Sequence, residues 1–206
     1  RAVRRAELPI AYSQGFNPHQ LMSFDNPLSL GMTSSGEYCD LEFFKEMDPG
    51  EIVGRMNSVM NDGIEILRAA RLPQAALTAM ADLAACEYEA YLDEAIEPKM
   101  VSDNLSAFLG RGEIVVMKKT KNNFKETDIR PDIFDMEDIS DKEGAKIRLL
   151  LAAGSTRSLR ADLTVETFYD FLGAEFNKFK IRYKRTEMYR LLDGAFVPLD
   201  KEVEIK

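Results

Sequence analysis

Hydrophobic and polar positions alternate most regularly over residues 37–44, and this period of two predicts a half-buried strand. The side chains expected to face the core are Cys39, Leu41 and Phe43. A helical spacing follows over residues 49–60, where Asp48 stands as the N-cap and Glu51 completes a capping box. Residues 64–68 are again rich in β-branched and apolar side chains, with Ile64, Ile66 and Leu67, so a further strand is expected after this helix.

The second half of the chain repeats this order of elements. Its predicted elements are a strand at 86–93, a helix at 100–109, extended segments at 113–118 and 124–139, a strand at 145–152, a helix at 164–172 and a strand at 180–192. Strand, helix and strand repeated twice is the split βαβ arrangement, in which both helices cover one face of an antiparallel sheet.

The sequence therefore predicts an α+β fold of two tandem ferredoxin-like units with antiparallel sheets. The expected division is an N-terminal unit at 1–72, a linker at 73–83 and a C-terminal unit at 84–206. The chain opens on a short helix-favouring segment that Pro9 ends. We expect this segment to be the end of a helix that begins before Arg1, so that the first unit is truncated at its N-terminus.

Composition narrows the class of protein. With 206 residues, 45% hydrophobic and 30% charged, the chain is typical of a globular protein. A formal charge of −8 argues against wholesale coating of nucleic acid or of an anionic membrane, so any anion-binding surface must be local. The apolar runs are too short to span a bilayer and no signal peptide opens the chain, so we expect a cytoplasmic protein that does not contact membranes.

Cysteine and histidine usage argues against a metal site. The two cysteines, Cys39 and Cys86, are far apart and are expected to be buried thiols in a reducing compartment. With one histidine and no paired cysteines, neither a zinc site nor an iron–sulfur cluster is expected, and no cofactor is predicted.

The segment AYSQGFNPHQLMSF concentrates turn-forming, polar and aromatic residues. One interpretation is a rigid recognition loop in which polar side chains hydrogen-bond a ligand or RNA while Phe16 stacks on it. The candidate binding residues are Ser13, Gln14, Asn17 and His19. The alternative is a polar turn that its own backbone satisfies, with Phe16 in the core. A catalytic His19 needs a second group, and the sequence places no serine or cysteine to act with it, so it is a weak candidate.

A second candidate is the basic and aromatic segment at 175–190, which lies in an otherwise acidic chain. Cations for phosphates and aromatic rings for bases are what single-stranded RNA binding requires, and Lys184 and Arg185 are the binding residues we select. The alternative is an edge strand whose charges keep it soluble and protect it from aggregation.

Two further segments carry candidate anion contacts. In GSTRSLR, Arg157 and Arg160 precede a predicted helix whose free N–H groups would hold a phosphate, although the ending of a P-loop is absent. The alternative is an ordinary loop with a helix cap. In TDIRP, Arg130 is a candidate, with a local ion pair as the alternative. The acidic run at 132–143 lacks calcium-loop spacing and predicts a solvated hairpin.

Six stretches together resemble a known family. They are YSQGFNPH, PLSLG, SGEYCDLE, TDIRP, AAGSTRSLR and KRTEMY, and they look like recurring stretches of the bacterial radical-SAM-linked proteins. That family is usually described as of unknown function, and its members occur beside or fused to a cobalamin-binding-type radical SAM protein. The chain departs from the family at Gln20 and Leu21, where proline and a basic residue are common. A phosphate contact at that place is therefore not expected.

The resemblance implies a radical SAM protein as partner, and the cluster and radical chemistry would belong to that partner, since this chain has no cysteine triad. The leading hypothesis is a non-catalytic accessory protein that binds RNA or an RNA–protein substrate and works with a radical SAM enzyme. Two alternatives stay open: a metal-independent ribonuclease that uses His19 with a lysine or arginine, and a pure protein-interaction module. The sequence leaves the substrate and the oligomeric state open.

Overall fold

The structure, a computed structural model, describes residues 1–73, 76–119 and 123–201. Its helices and strands are, in chain order, α1 (Ala2–Arg5), β1 (Met22–Phe24), β2 (Thr33–Ser34), β3 (Cys39–Leu41), α2 (Pro49–Asn57), α3 (Ala79–Asp82), β4 (Leu83–Tyr91), α4 (Pro98–Leu109), β5 (Val115–Lys119), β6 (Phe124–Asp128), β7 (Ile133–Asp138), β8 (Lys146–Ala152), α5 (Ala161–Leu172), β9 (Arg182–Leu192) and β10 (Ala195–Pro198).

The chain forms two compact units. The first contains Arg1–Asp25, Tyr38–Met80 and the chain from Leu199, and the second contains Asn26–Glu37 and Ala81–Pro198. The predicted division has all of residues 1–72 in one unit and a linker at 73–83, of which 74 and 75 lie outside the described residues. In the structure, residues 26–37 belong to the second unit because their backbone pairs with β9.

The first unit has a small apolar core and a short antiparallel sheet. Its buried residues are Val3, Ala6, Leu8, Ile10 and Met56. Strands β1 and β3 pair antiparallel. Helix α2 begins as the sequence predicts, with the Asp48 side chain accepting a hydrogen bond of 3.0 Å from the Glu51 N–H. The N-terminal turn of this helix is thereby fixed by two residues that are three positions apart in the sequence.

Two expectations for the first unit are wrong. Residues 64–68 form no strand, because the Asn57 side chain accepts from the Ile66 N–H at 2.7 Å and donates to its carbonyl at 2.9 Å. These are the two backbone groups that a neighbouring strand would need. Cys39 is exposed, whereas Leu41 and Phe43 are partly buried, so the predicted inward face of β3 is incomplete.

The second unit has a central antiparallel sheet in the order β9-β4-β8-β7. Leaving out the hairpin of β5 and β6, its chain order is strand, helix, strand, strand, helix, strand, which is the order of the split βαβ motif. Strand β10 pairs antiparallel with β9, and β2 pairs parallel with it. The α+β class is confirmed, with antiparallel and mixed pairing. In the described part of the first unit, the one strand pair is β1 with β3, so a tandem of two such units stays a prediction.

Register decides which side chains of the second unit enter the core. Tyr88 lies opposite Leu149 of β8 on one side and opposite Arg185 of β9 on the other, so these three share a face of the sheet. Aromatic side chains of both long helices are buried as well, and the rings of Phe108 and Phe168 meet edge-on with centroids 5.2 Å apart. An arginine therefore occupies a core position on β9.

Other predicted elements of the second unit hold with shifted ends. Helices at 100–109 and 164–172 are confirmed, the first beginning at Pro98 and the second at Ala161. The hairpin turn at 141–144 is confirmed by a bridge between its end residues. The sequence also favours a turn at Asn122-Asn123 between the two extended segments, and half of that turn lies outside the described residues. Strand β10 was not predicted, although Asp193-Gly194, both with positive φ, is the turn that joins it to β9.

Among the described helices, none is both long and apolar enough to pass through a bilayer.

Candidate functional site

The loop from Ser13 to His19 is closed by contacts between its two end residues. The Ser13 N–H donates to the His19 carbonyl at 2.9 Å, and the His19 N–H donates to Ser13 Oγ at 3.1 Å. Ser13 Oγ also lies 2.8 Å from His19 Nδ1. A hydroxyl donates one hydrogen bond and accepts two, so Ser13 Oγ holds the imidazole through Nδ1 in either tautomer. The loop thus fixes the orientation of the imidazole.

The tip of this loop carries a fully exposed aromatic ring. Gly15 has a φ of +116° with no atom within 4 Å of a built Cβ, so the turn depends on the left-handed conformation alone. Phe16 follows with a relative exposure of 105%, and Gln14 and Asn17 are exposed as well. The alternative interpretation, which put Phe16 in the core, is wrong. The polar ends of the turn are nevertheless satisfied locally, as that interpretation expects.

The contact between Ser13 and His19 was not predicted, because no pattern in the sequence places the Ser13 hydroxyl against the imidazole. A loop that returns on itself brings residues six apart to 2.8 Å, and no periodic pattern reports such closure. Both residues lie at the surface, and no carboxylate among the described residues is hydrogen-bonded to the ring. The two contacts between Ser13 and His19 act as a brace that closes the loop.

An open groove of about 470 Å³ adjoins the loop within the first unit. Residues 10–14, Leu21 and 42–44 line it. Phe44 keeps 76% of its surface exposed on this groove and Tyr12 keeps 41%. The loop therefore stands beside a concave surface that already presents aromatic side chains.

In the second unit, Arg185 is buried to 1% exposure and is the largest fully buried side chain of those described. Its Nε donates to Glu37 Oε1 at 2.8 Å, and its Nη2 donates to Glu37 Oε2 at 2.5 Å and to the Asn26 carbonyl at 2.6 Å. We call residues Asn26–Glu37 the strap; the bidentate pair fixes its Glu37 end, and the hydrogen bond to the carbonyl fixes its Asn26 end. A residue selected as an RNA contact is thus an internal anchor.

The strap also follows the backbone of β9. The Ser35 N–H donates to the Arg185 carbonyl at 2.9 Å, and Ser34 Oγ donates to the same oxygen at 3.2 Å. At Gly36 a Cβ would lie 2.6 Å from the Thr186 carbonyl oxygen, so the strap approaches β9 too closely for any side chain there. Glycine is required at this position by contact rather than by φ.

A cavity of about 80 Å³ lies between the strap, Tyr88, the loop at 153–162 and Arg185. The strap, the GSTRSLR loop and the basic segment at 175–190 are far apart in sequence and meet at this cavity in the second unit. Burial raises the pKa of the Tyr88 hydroxyl well above its usual range, so this wall of the cavity is neutral at physiological pH. Because Glu37 balances Arg185, the cavity carries no excess positive charge.

The two arginines of GSTRSLR are held by neighbouring carboxylates. Arg157 Nε donates to Asp132 Oδ1 at 2.7 Å, and its Nη2 donates to the Pro131 carbonyl at 2.9 Å. Arg160, just before α5, is paired with Asp162 in the first turn of that helix. The loop is therefore tied to TDIRP and to its own helix.

Arg130 and Lys184 are the remaining candidate binding residues. The first is hydrogen-bonded within the second unit, and the second is only partly exposed. Arg130 donates through Nε to the Leu109 carbonyl at 2.9 Å and through Nη1 to the Ile133 carbonyl at 3.0 Å, which caps the end of α4. Lys184 is partly exposed and lies opposite Glu89 in the register. On the same strand, Arg182 stacks over the Tyr91 ring at 5.2 Å. Strand β9 therefore presents fewer exposed basic side chains to a ligand than its sequence indicates.

The candidate residues divide between the units. Ser13, Gln14, Asn17 and His19 belong to the first unit, and Arg130, Arg157, Arg160, Lys184 and Arg185 belong to the second. In the described parts of the chain, no group of three or more histidine, cysteine, aspartate or glutamate side chains is arranged to hold a metal ion.

Comparison with known proteins places the chain in a family. A family model described as "Uncharacterized protein conserved in bacteria (DUF2344)" matches residues 1–161. The chain belongs to this family. The DUF2344 match covers the whole first unit up to Met80, the strap and most of the second unit as far as the start of α5. No curated protein matches the chain.

The two cysteines differ in exposure, and their thiols should differ in reactivity. Desolvation, with the neighbouring Asp40 charge, raises the pKa of Cys39 to about 11, although the residue as a whole is exposed. Cys86 is fully buried. We expect the chain to react with a disulfide reagent at pH 8 more than about tenfold more slowly than a free cysteine, whose pKa is about 8.5.

The rate should rise with pH towards about 11, because the thiolate is the reacting form. Stopped-flow labelling of the native protein between pH 7 and 10 measures this, with Cys39→Ser as the control that removes the exposed thiol. Fast labelling at pH 7 that Cys39→Ser abolishes would contradict the raised pKa.

Proposed function

We propose that this chain is a non-catalytic accessory protein that binds RNA or an RNA–protein substrate in the cytoplasm and works with a radical SAM enzyme. The observation that carries the proposal is Phe16, a fully exposed ring on a loop that a serine–histidine brace holds in one shape. As part of the same proposal, the first unit completes a tandem of two ferredoxin-like units. The radical chemistry is assigned to the partner, in line with the resemblance of the sequence.

An exposed phenyl ring on a braced loop supports binding for two reasons. The ring stays in contact with water in the free protein, so a ligand that covers it gains the hydrophobic contribution. The closed loop has already lost conformational freedom, so less entropy is lost when a ligand binds. Stacking of a base on such a ring is worth about 1–3 kcal/mol and tolerates any sequence.

The polar groups of the loop support the same interpretation. Gln14, Asn17 and the exposed imidazole of His19 are hydrogen-bonding groups on the same loop as the ring. Unstacked bases of single-stranded RNA are recognised by stacking together with hydrogen bonds to their edges. Such a set recognises a base without needing the excess positive charge that this acidic chain lacks.

Phe16→Ala is expected to lower the affinity for short single-stranded RNA about 5- to 150-fold, the equivalent of one lost base stack. Fluorescence polarisation with a labelled 12-nucleotide RNA at several salt concentrations measures the loss. Leu67→Ala, which truncates a 73% exposed apolar side chain in the same unit, is the matched control and should bind as the wild type does.

Three results of these binding measurements would contradict the proposed function or its place on the loop. Phe179→Ala removes an exposed ring from the basic segment at 175–190, so a loss confined to that variant would move the RNA surface to the second unit. Micromolar or weaker binding by the wild type that does not change with salt would reject RNA as the ligand. Co-purification of a radical SAM protein without any RNA affinity would favour the protein-interaction module.

A further inference from the structure

The hairpin of β5 and β6 is a two-stranded ribbon inserted between α4 and β7. No third strand pairs with it in the part of the chain that the structure describes. On one face, Val115, Met117 and Phe124 remain 50%, 57% and 66% exposed. A ribbon of two strands is marginally stable by itself, so apolar side chains left in water on it are a cost without a folding benefit.

The other face of the ribbon carries two lysines directly opposite each other. Lys118 pairs in register with Lys125, so their Cβ atoms are neighbours across the strands. Like charges in this position are destabilising. Within the described ranges, neither ammonium group has a carboxylate at ion-pair distance, in contrast to Lys146 and Lys99 of the same unit, which are paired. A phosphate between the two ammonium groups would remove the repulsion.

The base of the ribbon is fixed to the core of the second unit. Asp128 Oδ1 accepts from the Ile114 N–H at 2.8 Å and from the Arg130 N–H at 3.0 Å, and these bonds hold the pKa of the Asp128 carboxyl below its usual range. Ile114 and Ile129, at the two ends of the ribbon, are buried. Thus the ribbon projects from an ordered base, and the Asp128 carboxylate there is already engaged by two backbone N–H groups.

We propose that the β5–β6 ribbon is a binding site for single-stranded RNA, with Lys118 and Lys125 contacting phosphates and Phe124 stacking on a base. This deepens the proposed RNA-binding function but uses a surface separate from the Ser13–His19 loop. Phe124 and Lys125 are adjacent on one strand and point to opposite faces, so a base and a neighbouring phosphate of one RNA strand reach both across the narrow ribbon.

A protein partner fits the ribbon less well than RNA. Glu126 lies opposite Met117, on the same face as Val115 and Phe124. An apolar protein surface that covered this face would bury the Glu126 carboxylate, which is costly without a partner. A single base stacked on Phe124 near the tip leaves Glu126 in water. The positions of the charged side chains therefore favour single-stranded RNA, a polyanion whose bases can stack one at a time, over an apolar protein surface.

The test is the salt dependence of RNA binding by the double variant Lys118→Gln/Lys125→Gln. For single strands the slope of log K against log salt is about −0.7 per phosphate contact, so losing both lysines should reduce its magnitude by about 1.4. Phe124→Ala should weaken binding about 5- to 150-fold and leave the slope unchanged. The matched control is Lys99→Gln/Lys142→Gln, which removes two exposed lysines elsewhere in the same unit.

Thermal unfolding distinguishes lost contacts from lost structure, because removing like-charge repulsion should leave the double lysine variant at least as stable as the wild type. An unchanged affinity and slope in that variant, while Phe16→Ala weakens binding, would overturn the ribbon site and leave the proposed function standing. A wild type that binds no RNA would overturn both. Equal displacement of RNA by polyglutamate would show an acidic protein segment as the ligand and would overturn the RNA assignment.

Discussion

Glu37→Ala is expected to destabilise the protein by about 3–5 kcal/mol, which is the range for removing one member of a buried ion pair. The reason is the difference in burial between the partners, since the Arg185 side chain is 1% exposed and the Glu37 side chain is 43% exposed. Without Glu37, a guanidinium remains in the core, where it still donates to the Asn26 carbonyl but has lost its carboxylate partner. Water cannot hydrate that cation unless the strap opens.

Arg185→Met should cost less, about 1–3 kcal/mol, although it removes the larger side chain. The Glu37 carboxylate that it leaves behind already reaches solvent and can turn to water. The methionine fills part of the apolar space, so the remaining loss is chiefly the hydrogen bond to the Asn26 carbonyl. The double variant Glu37→Ala/Arg185→Met should recover much of the loss of Glu37→Ala, because no buried charge remains.

Urea unfolding of the four proteins, followed by circular dichroism, completes the double-mutant cycle. A loss for Arg185→Met that exceeds the loss for Glu37→Ala would contradict the argument from burial. Equal and small losses for both single variants would mean that the strap is not anchored by this pair.

The position of Arg185 illustrates what the sequence does not predict. Alternation along β9 places it on the same face as Tyr183, which is correct, but a basic residue in a basic and aromatic segment indicates a surface contact. What buries it is a strap 148 residues away in sequence, together with an irregular register between Glu87 and Tyr88 on β4. Neither contact leaves a local pattern, because both depend on tertiary pairing.

Elements fixed by neighbouring residues were predicted well. Asp48 and Glu51 determine the start of α2 within one turn, and helix α4 follows from its periodic apolar face. Residues 64–68 were predicted as a strand, but the side chain of Asn57 forms hydrogen bonds with the Ile66 N–H and carbonyl that a neighbouring strand would use. Strand propensity identifies a segment that is able to pair with a neighbouring strand. Tertiary contacts then determine which partner, strand or side chain, its backbone has.

For the candidate site, the sequence located the loop but not its internal arrangement. Turn signals at Gly15 and Asn17-Pro18 indicated a constrained segment, and the structure has one. The Ser13 contact that fixes His19 and the full exposure of Phe16 depend on how the loop closes. The opposed lysines of the β5–β6 ribbon were not noticed either, because a cross-strand pair requires the register to be known.

Gly154→Ala is expected to destabilise the second unit by about 4 kcal/mol, from two effects that a control separates. Gly154 has a φ of +134°, where an alanine is strained by about 1–3 kcal/mol. In addition, its Cβ would lie 2.5 Å from the Leu83 carbonyl oxygen, a backbone atom that cannot rotate away. The contact holds the start of the 154–160 loop against the beginning of β4.

Gly144→Ala is the matched control, since Gly144 has a φ of +142° and no atom within 4 Å of a built Cβ. It should therefore lose only the conformational part, about 1–3 kcal/mol, and the difference between the two variants measures the collision with Leu83. Chemical denaturation gives both values. Equal losses would show that the loop moves away from β4 without cost, and the wall of the Arg185 cavity would then not depend on that contact.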